Sequence, residues 1–345
     1  MKTILIVGQG IAGTMLARAL LRKNARVLIA DGDLPGSSSP VAAGVINPVT
    51  GKRFVKSWRF DEFFPVAQAA CQSLEKEFGI DIWSEQPVVR LLATAEEAND
   101  WSARCAQPEY AGHLAEISNA GAWSPYVRQG WHFGLIRRAA RVNFSRLLRV
   151  FREKAVREGT FIAETIDYGQ MERFAEEYDA VVFCEGFRAA ENPFFPDLPW
   201  QLAKGEALLV RFPGAAVPVN AMLKKTVTLV PLGEALFWAG GSYQWHYENM
   251  NPSEAERDYI SGHLSAMLHT PFDIVGHTAG VRPTVKDRRP FIGQSRVHDK
   301  LFVFNGLGTK GALLAPYWAE HLANHLLFGH SLDPDVDIRR FTVSG

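Results

Sequence analysis

The chain has 345 residues, and its 37 Lys+Arg against 37 Asp+Glu give a formal net charge of zero, so no global field exists to hold nucleic acid or an anionic membrane. Hydrophobic residues at 47% and charged residues at 21% exclude a disordered, collagen-like or coiled-coil chain and describe a folded protein of about two domains. Cys71, Cys105 and Cys184 are odd in number and far apart, which predicts neither a disulfide framework nor a metal site and reads as a cytoplasmic protein.

Ile4 to Leu21 is apolar enough to suggest a signal-peptide core, but Gly8, Gly10 and Gly13 break the helix that such a core forms. No other run reaches the roughly 18 continuous apolar residues of a membrane span. Lys2 to Val7 reads as a strand, Gly8-Gln9-Gly10-Ile11-Ala12-Gly13 as a turn, and Thr14 to Arg22 as a helix. In a dinucleotide site the first glycine permits the turn, the second admits a pyrophosphate and the third lets the helix pack on the strand. The helix start, with Ile11 and Ala12, then faces the phosphates. Arg26 to Ala30 is a second strand, and Asp31 at its end is placed to accept hydrogen bonds from a ribose while disfavouring a 2′-phosphate. This fingerprint suits NAD and FAD equally.

Residues 34–51 form a loop rich in Gly, Pro and Ser, where Ala43 and Gly44 could lie against a flat ligand; an ordinary surface loop explains them equally well. Asn143 to Gly159 reads as an amphipathic helix through Phe144, Leu147, Leu148, Phe151 and Ala155, with Asn143 as N-cap. Strand-like runs without a helix pattern fill Leu202 to Tyr247, while strands and helices alternate towards both ends of the chain.

The C-terminal third carries Gly280-Val281-Arg282-Pro283, then Asp287-Arg288-Arg289-Pro290-Phe291-Ile292-Gly293, the strand Leu301 to Asn305, and Gly306-Leu307-Gly308-Thr309-Lys310-Gly311. In order and spacing these segments resemble the D-amino-acid oxidase superfamily of FAD-dependent oxidoreductases. The resemblance is to the branch containing glycine oxidase, sarcosine oxidase and the flavin domain of the bifunctional tRNA-wobble-uridine enzyme. It extends through the middle of the chain, where Thr160 to Thr165 looks like the strand leading to the adenine side of FAD and Cys184-Glu185-Gly186 like a turn near the dinucleotide. It is weakest between Trp83 and Gln129.

The resemblance implies an α/β (α+β overall) fold, with a Rossmann-like FAD-binding domain from 1–82, 135–200 and 276–345. An inserted, mostly antiparallel substrate-binding sheet would come from 83–134 and 201–275. FAD would be held by Gly8, Gly10, Ile11, Ala12, Gly13, Asp31, Ala43, Gly44, Gly186, Gly306, Gly308, Thr309, Lys310 and Gly311. It would be non-covalent, because no cysteine lies in the C-terminal third and His277 matches no attachment motif. A last helix is expected from about Gly311 to Phe328, with Pro316 in its first turn and Gly329 at its end.

The implied reaction oxidises the C–N bond of an amine or amino acid to an imine by hydride transfer to flavin, with oxygen or another acceptor completing the cycle. Arg282 is the candidate for pairing with a substrate carboxylate, the alternative being a structural salt bridge to Asp287. Lys310 is the candidate for supporting charge on the reduced flavin. Tyr243 and Trp245, with Tyr247, are candidates for an aromatic pocket wall or for core packing.

Two alternatives remain. One is a tRNA-modifying flavoenzyme acting on a carboxymethylaminomethyl wobble uridine. That branch reads Ser-Arg where this chain has Thr309-Lys310, a change that keeps the cation but loses the planar fork. The other is a non-catalytic FAD-binding interaction protein. Arg128, Arg137, Arg138, Arg141, Arg146, Arg149 and Arg152 make one region basic, but a solvated helix face accounts for them and a nucleic-acid partner is not expected.

Overall fold

Ile4, Leu5 and Ile6 are fully buried, as an uninterrupted apolar strand in the middle of a parallel sheet must be. The computed structural model describes residues 1–51, 53–213 and 219–341. In it Thr3–Val7 pairs in parallel with Arg26–Ala30 on one side and with Ala180–Phe183 on the other. Phe161–Ile162 extends the sheet beyond Arg26–Ala30, and Leu301–Asn305 followed by antiparallel Phe291–Gln294 extends it the other way, giving six strands. Alternate residues serve opposite faces. Ile4 and Ile6 meet the helices Ile11–Leu21, Phe144–Arg157 and Gly311–Phe328, whereas Leu5 and Val7 meet Met171, Tyr178 and Phe195.

Local chemistry sets these helices. Asn143 caps Phe144–Arg157 by accepting from the Arg146 N–H at 3.3 Å, and Leu147, Leu148, Phe151 and Ala155 form its buried stripe as the pattern predicts. Gly329 ends Gly311–Phe328 in the left-handed conformation, φ 72°. Pro316 differs from expectation. It is the sixth residue of that helix and therefore in its second turn, where it leaves the Ala312 carbonyl without its regular donor. The first helix begins earlier than its periodicity implied, at Ile11, because it includes the glycine-turn residues; the strand expected over 160–165 pairs only at Phe161–Ile162.

A second sheet has eight strands, in the order Asp273–Arg282, Ala203–Arg211, Leu236–Gly240, Thr228–Gly233, Met222–Lys224, Val88–Leu92, His132–Ile136 and Leu114–Ile117. All neighbours are antiparallel except Met222–Lys224 with Val88–Leu92. The boundaries expected at 134/135 and 275/276 both fall inside strands of this sheet, and Asp273–Arg282 belongs to it entirely. The reason is hydrogen bonding. A strand cannot be divided between domains without orphaning its ladder.

The helix Glu254–Met267 covers one face of the large sheet, packing Ile260, Leu264 and Met267 on Leu208, Val210 and Leu223. The other face turns towards the glycine turn. A three-stranded sheet of Val45–Ile46, Ala140–Val142 and Trp83–Glu85 fixes the small-residue loop at one side of this space. No described helix is long and apolar enough to cross a membrane.

Candidate active site

A deep cleft separates the two large sheets. One end is built by the glycine turn, and two of its glycines are dictated by sterics. Gly8 has φ +102°, and a Cβ there would lie 2.5 Å from the Cys184 carbonyl oxygen; a Cβ on Gly13 would lie 1.9 Å from the Gly8 carbonyl oxygen. Gly13 therefore does its work behind the cleft, as helix–strand packing, while Gly10, Ile11 and Ala12 line it. Gly10 occupies the N-cap of Ile11–Leu21, so the positive end of that helix points into the cleft.

Asp31 lines the same end. Its Oδ2 accepts from the Gln9 N–H at 2.5 Å and its Oδ1 from the Asp33 N–H at 2.7 Å. A carboxylate offers about four acceptor positions, so room remains for ribose hydroxyls beside Arg152, whose Nη2 lies 3.7 Å from Oδ1. Arg152 braces this corner, donating Nε to Gln9 Oε1 at 2.5 Å and lying 3.2 Å from Asp33 Oδ1.

The loop after Asp31 forms one wall, with Ala43 and Gly44 in the lining. The turn at Gly186 is tied to the C-terminal motif by Asn305, whose Nδ2 donates to the Gly186 carbonyl while its Oδ1 accepts from the Gly306 N–H, each at 2.9 Å. Gly306 lies behind this tie. Gly186, Gly308, Thr309, Lys310 and Gly311 reach the cleft surface. Beside them, Glu185 accepts from the Tyr168 hydroxyl at 2.8 Å and from Asn192 Nδ2 at 2.9 Å, and burial raises its pKa above the usual carboxylate value. Backbone amides, a helix start, a free-sided carboxylate and room for a backbone-hugging ligand fit the dinucleotide half of FAD.

The other end is cationic. Arg282 ends the strand Asp273–Arg282, and its guanidinium lies across Gly205, where a Cβ would sit 1.9 Å from Nη2. Nη1 donates to the Ser242 carbonyl at 3.1 Å, and burial lowers the guanidinium's pKa. The salt bridge considered for it is not formed, because Asp287 pairs with Arg340 at 2.8 Å and accepts from the Arg289 N–H. Lys310 donates Nζ to Ser57 Oγ at 3.2 Å. Burial, with Arg288 and Arg289 nearby, brings its pKa down to about 8.

Tyr243 and Trp245 lie outside the lining, 40% and 51% exposed, so they form no pocket wall. Instead the Tyr243 ring covers the Arg282 guanidinium at 5.0 Å, and its hydroxyl is 3.1 Å from Thr284 Oγ1; Trp245 packs edge-on against Tyr243 at 4.8 Å. The aromatic that lines the cleft from the large sheet is Trp238, whose Nε1 donates to the Val41 carbonyl at 3.1 Å. Sequence reasoning missed it, and missed Lys224, because strand alternation assigns a residue to a face only once its register is known.

The basic stretch is dispersed. Arg138 pairs with Asp61, Arg149 with Glu153, and Arg128 donates to the Ser265 carbonyl.

A family model described as FAD dependent oxidoreductase matches residues 3–325. The chain is 24% identical over 361 residues to glycine oxidase of Geobacillus kaustophilus, covering 91% of this chain and 89% of that one. It is 22% identical over 368 residues to the uncharacterized oxidoreductase YurR of Bacillus subtilis, covering 97% of each. Among solved structures it is similar to glycine oxidase from Bacillus cereus, with a TM-score of 0.77 and 17% identity over 96% of each chain. It is also similar to iminodiacetate oxidase from Chelativorans, with a TM-score of 0.73 and 18% identity over 96% of each. These structural likenesses establish a shared fold.

Proposed function

The chain belongs to the family of FAD-dependent oxidoreductases, and from that premise we propose that it oxidises the C–N bond of an amino acid to an imine, using non-covalent FAD. The observation that carries this reading is Arg282, a desolvated guanidinium in the cleft whose hydrogen-bond acceptor among the described residues is a single carbonyl. A substrate carboxylate supplies the bidentate partner its fork lacks. Bound FAD would supply the acceptor for the hydride from the carbon beside the amine nitrogen.

The protein's part is positioning and charge. Gly205 leaves room for the Arg282 guanidinium to lie flat, and Tyr243 shields its outer side, so the carboxylate is held at a fixed angle. The same positive surroundings disfavour a second cation, so Arg282 and Lys310 promote the neutral amine over the ammonium form. Lys310 and the N-terminus of Gly311–Phe328 provide positive potential at the cleft end where negative charge accumulates on reduction. Cys184, which lines the cleft, is buried with its thiol pKa raised, and no described histidine lines the cleft; both facts favour dissociable FAD.

Anaerobic bleaching of the flavin across a panel of amino acids, their decarboxylated amines and wobble-modified tRNA tests the proposal. The expected outcome is bleaching by amino acids and none by the matched amines. Bleaching by amines alone removes the carboxylate from the proposal, and bleaching by tRNA alone replaces the substrate class.

A further inference from the structure

The large sheet directs one more cation into the cleft. Thr278, Ala207, Gly240, Thr228, Lys224 and Arg90 stand in register across adjacent strands, one lateral row on one face. The first five line the cleft, so Lys224 projects from the same floor as the residues near Arg282. Its ammonium donates to Thr228 Oγ1 at 2.8 Å, and its charged neighbour is another cation, Arg90. Burial and Arg90 together bring its pKa down to about 8, a cost that an anion beside it would reverse.

Nearby lysines are neutralised. Lys225 pairs with Glu97 at 2.5 Å and Lys204 with Glu206 at 2.8 Å. Three of the four carboxylates that line the cleft are committed elsewhere, and the fourth, Glu164, stands at the dinucleotide end. Asp31 serves the glycine turn and Glu185 serves Tyr168 and Asn192. Glu206 serves Lys204 and Ser253, and Glu164 adjoins Thr165, which packs on Gly32 at the dinucleotide end. Lys224 is thus a partly buried cation facing the cleft without an anion among the described residues.

Its spacing from Arg282 identifies what it addresses. The Arg282 guanidinium lies over Gly205, and the Lys224 ammonium lies at Thr228, two strands across and two residues along, a separation of roughly 12 Å at ordinary sheet spacings. One carboxylate cannot bridge that distance. We propose that Lys224 binds a second anionic group on the substrate side chain, so that the enzyme selects amino acids bearing an additional carboxylate. This inference rests on the reading of Arg282 given above.

The test is anaerobic flavin reduction by the holoenzyme with isosteric pairs, glutamate against glutamine and 2-aminoadipate against its side-chain amide, in both stereochemical forms, for wild type, Lys224→Met and Lys224→Arg. Wild type should reach half-saturation at lower concentration with the dicarboxylic member of a pair. In Lys224→Met that preference should fall at least about tenfold, and Lys224→Arg should restore most of it. Glutarate, which has no amine to oxidise, should perturb the flavin spectrum of wild type and do so more weakly in Lys224→Met. No preference in wild type, or a preference that survives in Lys224→Met, overturns the inference while leaving the amino-acid reading intact. A loss of reduction rate at unchanged half-saturation also overturns it, making Lys224 a proton-transfer group. Failure of every amino acid to bleach the flavin overturns the reading of Arg282 and this inference with it.

Discussion

Arg282 does two things that a lysine cannot. Its planar fork lies flat on Gly205, and it keeps its charge in a desolvated place. Arg282→Lys should therefore lose most of the substrate affinity despite retaining a cation. Arg282→Ala should raise the half-saturating amino-acid concentration by roughly a hundredfold or more, since breaking a buried charge pair costs about 3–5 kcal/mol. Flavin reduction under limiting substrate measures this, and an unchanged visible spectrum separates it from loss of cofactor. Lys310 behaves differently because its proton is labile. Its pKa in the fold is about 8, below its ordinary 10.5, so the folded apoprotein binds fewer protons than the unfolded chain between those values. Stability must then rise with pH across that window, the penalty being full below about 8 and relieved as pH rises through it. Thermal denaturation of the apoprotein from pH 7 to 10 should show a smaller rise for Lys310→Met than for wild type.

Among elements, legibility followed the range of the forces involved. The glycine turn, Asp31, the Asn143 cap and the Gly329 stop are all written within a few residues of where they act, and each is where its local chemistry puts it. Asn143→Ala should lower stability by about 1 kcal/mol, visible as a reduced melting temperature with flavin occupancy retained. Gly13→Ala should be worse and different in kind. The added Cβ meets backbone, the Gly8 carbonyl oxygen, so Ile11–Leu21 must move off its strand and FAD binding should fail; absorbance at the flavin maximum after purification reports it. The large sheet was legible only in part, because Met222–Lys224 finds its parallel partner Val88–Leu92 more than a hundred residues away. Lys224 and Trp238 gained their meaning from that long-range register. Tyr243 and Trp245 were misplaced for the converse reason, since an aromatic run beside a strand end looks the same whether it covers a cavity or the outside of an arginine.

At the scale of the whole molecule, bound cofactor would act as a structural strut. The cleft is walled by both large sheets, so FAD that fills it contacts the glycine turn on one side and the Arg282 face on the other. A ligand that binds only the folded state stabilises it by mass action, about 2.7 kcal/mol at a hundredfold excess over the dissociation constant. Adding FAD to apoprotein should raise the melting temperature in a concentration-dependent way, and mild denaturation should release the flavin from the chain. A flavin that stays on the chain after denaturation contradicts the dissociable assignment made from Cys184.

The six-stranded sheet also sets an order of events during synthesis. Its central strand, Thr3–Val7, is made well before its neighbour Ala180–Phe183, and Leu301–Asn305, which closes that neighbour's other edge, is later still. Until that last strand emerges from the ribosome, the edge of Ala180–Phe183 has no partner, and Asn305 cannot lock the Gly186 turn. The glycine turn therefore depends on a distant part of the chain, because the Gly186 turn beside it is tied only when Leu301–Asn305 is in the sheet.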